Sequence, residues 1–173
     1  MKRKKLAKQK DKKPNAHEVM KVGEVFNLSK EKLVEMLNRA LDLEHAARIQ
    51  YLSHAELVDG LNAEPIIARL KEIAGDEEKH EGVFRELIGD YLGGVPSMGM
   101  AKTYPATTIQ EILEVNLKAE REAVDFYLTI LDEIRNSMAD LKYEHYALEH
   151  GVRHVLQDEQ EHIAELKVLL GLK

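Results

Sequence analysis

The sequence has no cysteine and no tryptophan in 173 residues. Without thiols there is no disulfide framework, no thiolate metal site and no cysteine-bound iron module. Proline occurs four times and aromatic residues make up only 5%, a poor composition for a sheet protein. No stretch approaches the roughly 18 apolar residues needed to cross a bilayer. The N-terminus is basic, but no apolar run follows it, so no secretory signal is expected. The expected compartment is the cytoplasm, with which an absence of cysteine is compatible.

What is present favours helices. Leu, Ala, Glu and Lys dominate, hydrophobic residues make up 44%, and the length suits one domain with a sizeable core. Charge is unevenly spread. Residues 1–14 carry eight Lys or Arg and one Asp, a balance of +7, whereas the rest of the chain stands at −13. Residues 1–16 lack apolar periodicity and are expected to form a flexible basic arm, with residues 17–173 forming the folded body.

Four helices are expected, over residues 29–59, 62–92, 107–136 and 140–170. Ser29 has the character of an N-cap, with Leu28 and Leu33 spaced as a hydrophobic staple. Alternating steps of four and three then mark a seam at Leu33, Leu37, Ala40, Glu44, Ala47, Tyr51, His54 and Val58. The second seam runs Ile66, Leu70, Ile73, Glu77, His80, Phe84, Leu87, Tyr91. The third opens at a capping box, Thr108 to Glu111, and runs Ile109, Leu113, Asn116, Glu120, Ala123, Tyr127, Ile130, Ile134. The fourth runs Leu141, His145, Leu148, Val152, Val155, Glu159, His162, Leu166, Leu169. Residues 93–106 hold three Gly and two Pro and break the pattern. Such a loop, fully extended, reaches about 45 Å, the length of a helix of about 30 residues. It can therefore travel the length of a bundle, which predicts an all-α, antiparallel four-helix bundle with a long crossover between the second and third helices.

Six of the seam residues are not apolar: Glu44, Glu77, His80, Glu120, Glu159 and His162. Charged side chains are buried only when paired or metal-bound. Glu-x-x-His places a carboxylate and an imidazole one turn apart on one helix face. Two such turns, Glu77–His80 and Glu159–His162, alternate with the single residues Glu44 and Glu120. The four carboxylates balance two divalent cations, and a carboxylate-rich site with a little imidazole suits iron or manganese. One Glu from each of two helices plus Glu-x-x-His from each of the other two is the established ligand pattern of ferritin-like di-metal bundles.

The motifs resemble the bacterioferritin branch of the ferritin-like superfamily over roughly residues 30–170. The resemblance rests on Glu44-His-Ala-Ala-Arg-Ile-Gln50-Tyr51-Leu-Ser-His54, on Asp76-Glu77-Glu78-Lys79-His80, on Leu92-Gly93-Gly94-Val95-Pro96, on Asn116-Leu-Lys-Ala-Glu120 and on Leu156-Gln-Asp-Glu159-Gln-Glu-His162. It implies a ferroxidase centre that oxidises Fe(II) with dioxygen or hydrogen peroxide, for iron storage or detoxification in a multi-subunit shell. It also implies that Tyr51 lies beside the metals and supplies an electron; Tyr127 is read as core packing, and His54 as a hydrogen-bonded neighbour of the site or a pore-side histidine. Members of that branch bind haem through a Met directly after the second-helix Glu; Glu78 stands there, so haem is not expected. The sequence ends after the fourth helix, where 24-subunit cages continue into a short fifth one. The expected homo-oligomer is accordingly a 12-subunit shell, a 24-subunit shell or something smaller.

Two alternatives rest on other features. The arm Lys2–Lys13 resembles the Lys-rich tails of DNA-binding mini-ferritins, and it could neutralise phosphates non-specifically. A di-iron or di-manganese oxidase or peroxide scavenger without mineral storage would need only the six-ligand site. His145, His150 and His154 are read as surface or interface residues.

Overall fold

A computed structural model describes the backbone of residues 16–172 and the side chains of residues 29–172. The expected arm, including Lys2–Lys13, lies outside the described residues but for Ala16. Regular structure among the described residues is entirely helical: α1 Ala16–Ala55, α2 Ala63–Glu86 continued by a π-helical turn Leu87–Tyr91, α3 Ile109–Asn136, a single turn α4 Met138–Leu141, and α5 His145–Leu169. α1 pairs with α2 and α3 with α5, and the two hairpins meet through α1–α3 and α2–α5. The result is the expected antiparallel bundle with a long crossover.

Several features depart from the sequence reading, among them the helix expected over residues 140–170, which begins only at His145 after the separate turn Met138–Leu141. α1 does not start at Ser29 but at Ala16. Ser29 is no cap; its hydroxyl donates to Asp140 Oδ2 at 2.9 Å, and Lys30 Nζ reaches Glu144 Oε1 at 2.6 Å. These are tertiary ties to the α4–α5 corner, which local spacing cannot reveal. The same helix ends at Ala55 rather than residue 59, and Gly60, at φ +98°, turns the chain towards α2. In the second helix, the π-turn inserts one extra residue. It rotates the seam, so that Ile88 is fully buried and Tyr91, expected inside, is 39% exposed. The capping box of α3 forms as expected, with Glu111 N donating to Thr108 Oγ1 at 3.2 Å and Thr108 N to Glu111 Oε2 at 3.2 Å.

Residues 92–108 carry the crossover along α1. Asn38 Nδ2 donates to the Val95 carbonyl at 3.0 Å, Ala101 N to the Asp42 carbonyl at 2.8 Å, and Tyr104 N to Gln50 Oε1 at 2.6 Å. Successive anchors advance along α1, so the loop climbs from one end of the bundle to the other. At Gly94 a Cβ would stand 2.8 Å from both methyls of Val34, so a side chain there would force the loop off the helix.

The core is divided. One apolar cluster contains Leu33, Leu37, Leu41, Phe84, Ile88, Tyr127, Ile130 and Val155; the other contains Tyr51, Val58, Leu70, Ile73, Ile112, Leu113 and Leu166. Between them in each of the four long helices lies a buried polar layer, and it holds the six singled-out residues.

Candidate metal centre

Each long helix delivers its polar residue to that layer because the four-three seam faces inward at this level as it does above and below. Glu44, Glu77, His80, Glu120, Glu159 and His162 are all at most 3% exposed. They form two overlapping groups, Glu44, Glu77, His80, Glu159 and Glu77, Glu120, Glu159, His162. In each group one ligand atom per residue lies within 4.8 Å of all the others. Glu77 and Glu159, the first residues of the two Glu-x-x-His turns, belong to both. His80 Nδ1 lies 3.1 Å from Glu77 Oε2, 3.2 Å from Glu159 Oε1 and 3.5 Å from Glu44 Oε2. His162 Nδ1 lies 3.0 Å from Glu159 Oε2, 3.5 Å from Glu77 Oε1 and 3.9 Å from Glu120 Oε1. The ring centroids are 5.9 Å apart.

The electrostatics of the layer favour positive charge. Burial and repulsion from Glu159 and Glu44 push Glu77 well above the usual carboxylate range. Burial, again with Glu159, does the same to Glu120, and burial with Glu44 raises Glu159. Glu44 runs the other way: burial pushes it up, but hydrogen bonds with Glu77 and His80 outweigh that and lower it. Burial pulls His80 down, yet Glu159, Glu44 and Glu77 raise it overall, so its imidazole holds a proton that a metal would displace. Glu77 Oε1 is buried without a hydrogen-bond partner. Such an orphan carboxylate oxygen, among three other carboxylates and two imidazoles, fits a pair of divalent cations.

The two imidazoles are aimed from behind. His80 Nε2 faces Asp158 Oδ2 at 3.3 Å and His162 Nε2 faces Asp76 Oδ2 at 3.7 Å, each Asp standing on the opposite helix. A carboxylate on the outer nitrogen fixes the ring and leaves Nδ1 directed inward. The signal was in the sequence: Asp directly precedes Glu in both turns. The two tyrosines cross in the same way. Tyr51 OH donates to Glu120 Oε1 and Tyr127 OH to Glu44 Oε1, both phenols raised well above their ordinary value by burial and then by those carboxylates. Tyr127 is therefore more than the core packing expected of it; its hydroxyl also holds one of the six carboxylates.

His54 stays out of both groups. Asn116 Nδ2 donates to His54 Nδ1 at 3.1 Å, which leaves Nε2 to donate to the Tyr104 carbonyl at 3.1 Å. Gln50 Nε2 in turn donates to Asn116 Oδ1 at 2.8 Å, so a buried polar chain ties the crossover to α1 and α3. Glu81 was missed. It is 1% exposed, with Oε1 2.6 Å from Arg48 Nε and Oε2 against Arg85, which stands four residues on and was its sequence signal. His150 and His154 are exposed and stack at 6.3 Å, away from the site; His145, by contrast, is buried. A cavity of about 240 Å³ between α1 and α3 reaches Glu44, Glu77, Glu120 and Glu159 from outside, with Arg39 and Lys102 among its lining.

Residues 34–173 match the family model for the ferritin-like domain. The chain belongs to the ferritin-like family. The bacterial ferritin of Pseudomonas aeruginosa is 32% identical over 90 residues, covering 51% of this chain and 57% of that protein. A bacterial ferritin of Neisseria gonorrhoeae is 31% identical over 94 residues, covering 54% and 60%. The match thus spans less than two thirds of the length of either curated relative. A ferritin-like diiron-carboxylate protein from Bacillus anthracis superposes with a TM-score of 0.74 at 26% identity, over 84% of this chain and 98% of the other. The dodecameric thioferritin of Bacteroides fragilis, a bacterioferritin-related protein, gives a TM-score of 0.71 at 24% identity, over 82% and 85%, which speaks to the fold.

Proposed function

We propose that this ferritin-like protein is a non-haem di-iron ferroxidase that oxidises Fe(II) with dioxygen or hydrogen peroxide. The observation that carries the reading is the pair of overlapping ligand groups sharing Glu77 and Glu159. Glu44 and His80 would help to hold one iron and Glu120 and His162 the other, with Glu77 and Glu159 common to both groups. When bound, two ferrous ions supply one electron each; with hydrogen peroxide, two protons complete its reduction to two waters. The four carboxylates offset the charge of two divalent ions, and as hard ligands they favour the ferric product.

The surrounding residues have definable tasks. Asp158 accepts from His80 Nε2, and Asp76 stands 3.7 Å behind His162 Nε2, so both rings are held with Nδ1 inward. When dioxygen is the oxidant, Tyr51 is proposed to supply a third electron, its phenolic proton passing to Glu120, with a further ferrous ion giving the fourth electron that reduction to water needs. Iron as the metal, with manganese as the alternative, follows from the donor set. Assembly into a multi-subunit shell, and with it mineral storage, is part of the same proposal; the Bacteroides fragilis relative is described as a dodecamer.

Aerobic Fe(II) titration tests the chemistry. Rapid oxidation of about two irons per chain is expected, and Glu77→Ala together with Glu159→Ala should abolish it. Rapid oxidation retained in that double variant would refute the site. Uptake of many more irons per chain, together with a native mass of many subunits, would distinguish storage from oxidation alone.

A further inference from the structure

The cavity between α1 and α3 has a mouth with two exposed cations and one exposed carboxylate, Glu122, above a floor of buried carboxylates. Arg39 sits at its edge with the guanidinium 4.6 Å over the Phe126 ring, and Lys102 Nζ lies 5.0 Å from the centre of the Tyr104 ring. Both residues are exposed. Each cation is thus held in place by an aromatic face and keeps its charge available to an incoming ligand. The walls are small and apolar, from Leu43, Ala46, Ala47, Ala119 and Ala123, and the floor is four of the six site carboxylates. A volume of about 240 Å³ exceeds what dioxygen or peroxide needs.

With Arg39 and Lys102 set against the single carboxylate of Glu122, the mouth carries a net positive charge, which repels a ferrous ion and attracts an anion. With the metal pair in place, the four carboxylates of the floor are neutralised, so an anion that enters meets no net repulsion. We propose that this cavity is a binding route for a small oxyanion, steered by Arg39 and Lys102 and received by the metal pair as an additional ligand. The inference rests on the di-metal reading above. The ligand class is a compact phosphate- or carboxylate-bearing ion. The ferrous substrate then has to arrive from elsewhere, and Asp76 and Asp158 stand behind the two imidazoles, towards α2 and α5, with the sign a cation needs.

The test uses the full-length chain loaded with Co(II), whose visible absorption reports its ligands without turnover. Uptake of two Co(II) per chain is measured first. Inorganic phosphate and butyrate are then titrated separately into wild type, into Arg39→Gln/Lys102→Gln, and into Glu122→Gln, which removes a negative charge from the same cavity lining. Each lost charge at this range should change affinity by about threefold. The expected result is about tenfold weaker binding in the double variant, about threefold tighter binding in Glu122→Gln, and convergence of all three at high salt. Tighter binding of phosphate points to the inorganic ion as source, and tighter binding of butyrate to a small organic acid; either supports the route. Because the Glu122 change acts in the opposite direction, damage to the fold cannot imitate the pattern. An unchanged cobalt spectrum, or a double variant within twofold of wild type, overturns the proposal and leaves the metal centre standing. Failure to take up two Co(II) overturns the metal centre and this route with it.

Discussion

Glu77→Gln should make the metal-free protein more stable and the metal-loaded protein less so. Glu77 is fully buried, its Oε1 has no hydrogen-bond partner, and Glu44 and Glu159 stand close enough to hold its carboxyl above the usual range. Gln has nearly the same shape and no charge, and its amide protons can be donated to those two carboxylates. Relieving one buried, unsatisfied polar group contributes about 1–3 kcal/mol. For a domain of this size each 1 kcal/mol moves the melting temperature by about 2–4 °C. Apo Glu77→Gln is therefore expected to melt about 2–12 °C above apo wild type at pH 8. The loaded proteins should rank in reverse, because a neutral amide replaces one of the two carboxylates that lie in both ligand groups. Differential scanning calorimetry with chelator and with excess Co(II) reads both. If apo Glu77→Gln melts below apo wild type, the charge-strain account of the empty site is wrong. If Co(II) stabilises both proteins equally, Glu77 is not a ligand.

Apo stability should also depend on pH. Glu77, Glu120 and Glu159 are raised in the folded state, as is His80, so the folded apo-protein keeps protons that the unfolded chain releases. Their contribution is complete below the ordinary carboxylate and imidazole values and is lost as pH rises through the folded ones. Glu44, which is lowered, acts in the opposite sense but only as pH falls below the ordinary carboxylate range. Urea midpoints of the apo-protein should thus fall from pH 5 to pH 8, with each such group contributing up to about 1.4 kcal/mol per pH unit; a flat or rising profile would contradict this. Gly82→Ala should stabilise by roughly 0.5–1 kcal/mol in the same assay, since Gly82 lies inside α2 and a Cβ there meets nothing within 4 Å. Glu81→Ala should cost about 2–3 kcal/mol, because it strips Arg48 and Arg85 of their shared carboxylate; a loss under 0.5 kcal/mol would mean that the arginines find water instead.

The seam arithmetic was enough to find the polar layer, because every helix presents its inward face with the same period. Glu44, Glu120 and the two Glu-x-x-His turns needed no knowledge of their partners. What failed was of two kinds. Ser29 looks like a cap until Asp140, 111 residues away, takes its hydroxyl. Tyr91 lies on the seam until one inserted residue at Leu87–Tyr91 rotates it outward. Both are effects of tertiary packing on a local pattern. Glu81 belongs to neither kind: it neighbours His80 and so lies off the strict seam, and only its distance of four from Arg85 hinted that it was paired.

The two hairpins are tied together by crossing contacts, and these explain how one fold can hold so much like charge in its centre. Tyr51 comes from one apolar cluster and Tyr127 from the other, yet each donates to the carboxylate seven residues before its counterpart. Asp158 braces an imidazole of α2, and Asp76 braces one of α5. Every ligand pair is therefore fastened across helices, so no single helix can relax away from the others to relieve the repulsion. The apolar clusters above and below oppose separation, since pulling the helices apart would open both to water. The polar layer costs stability while empty, and the packing on either side keeps its geometry ready. A pair of divalent ions, as proposed above, would then meet its ligands already gathered, so the cost would be borne by the fold and not by the affinity.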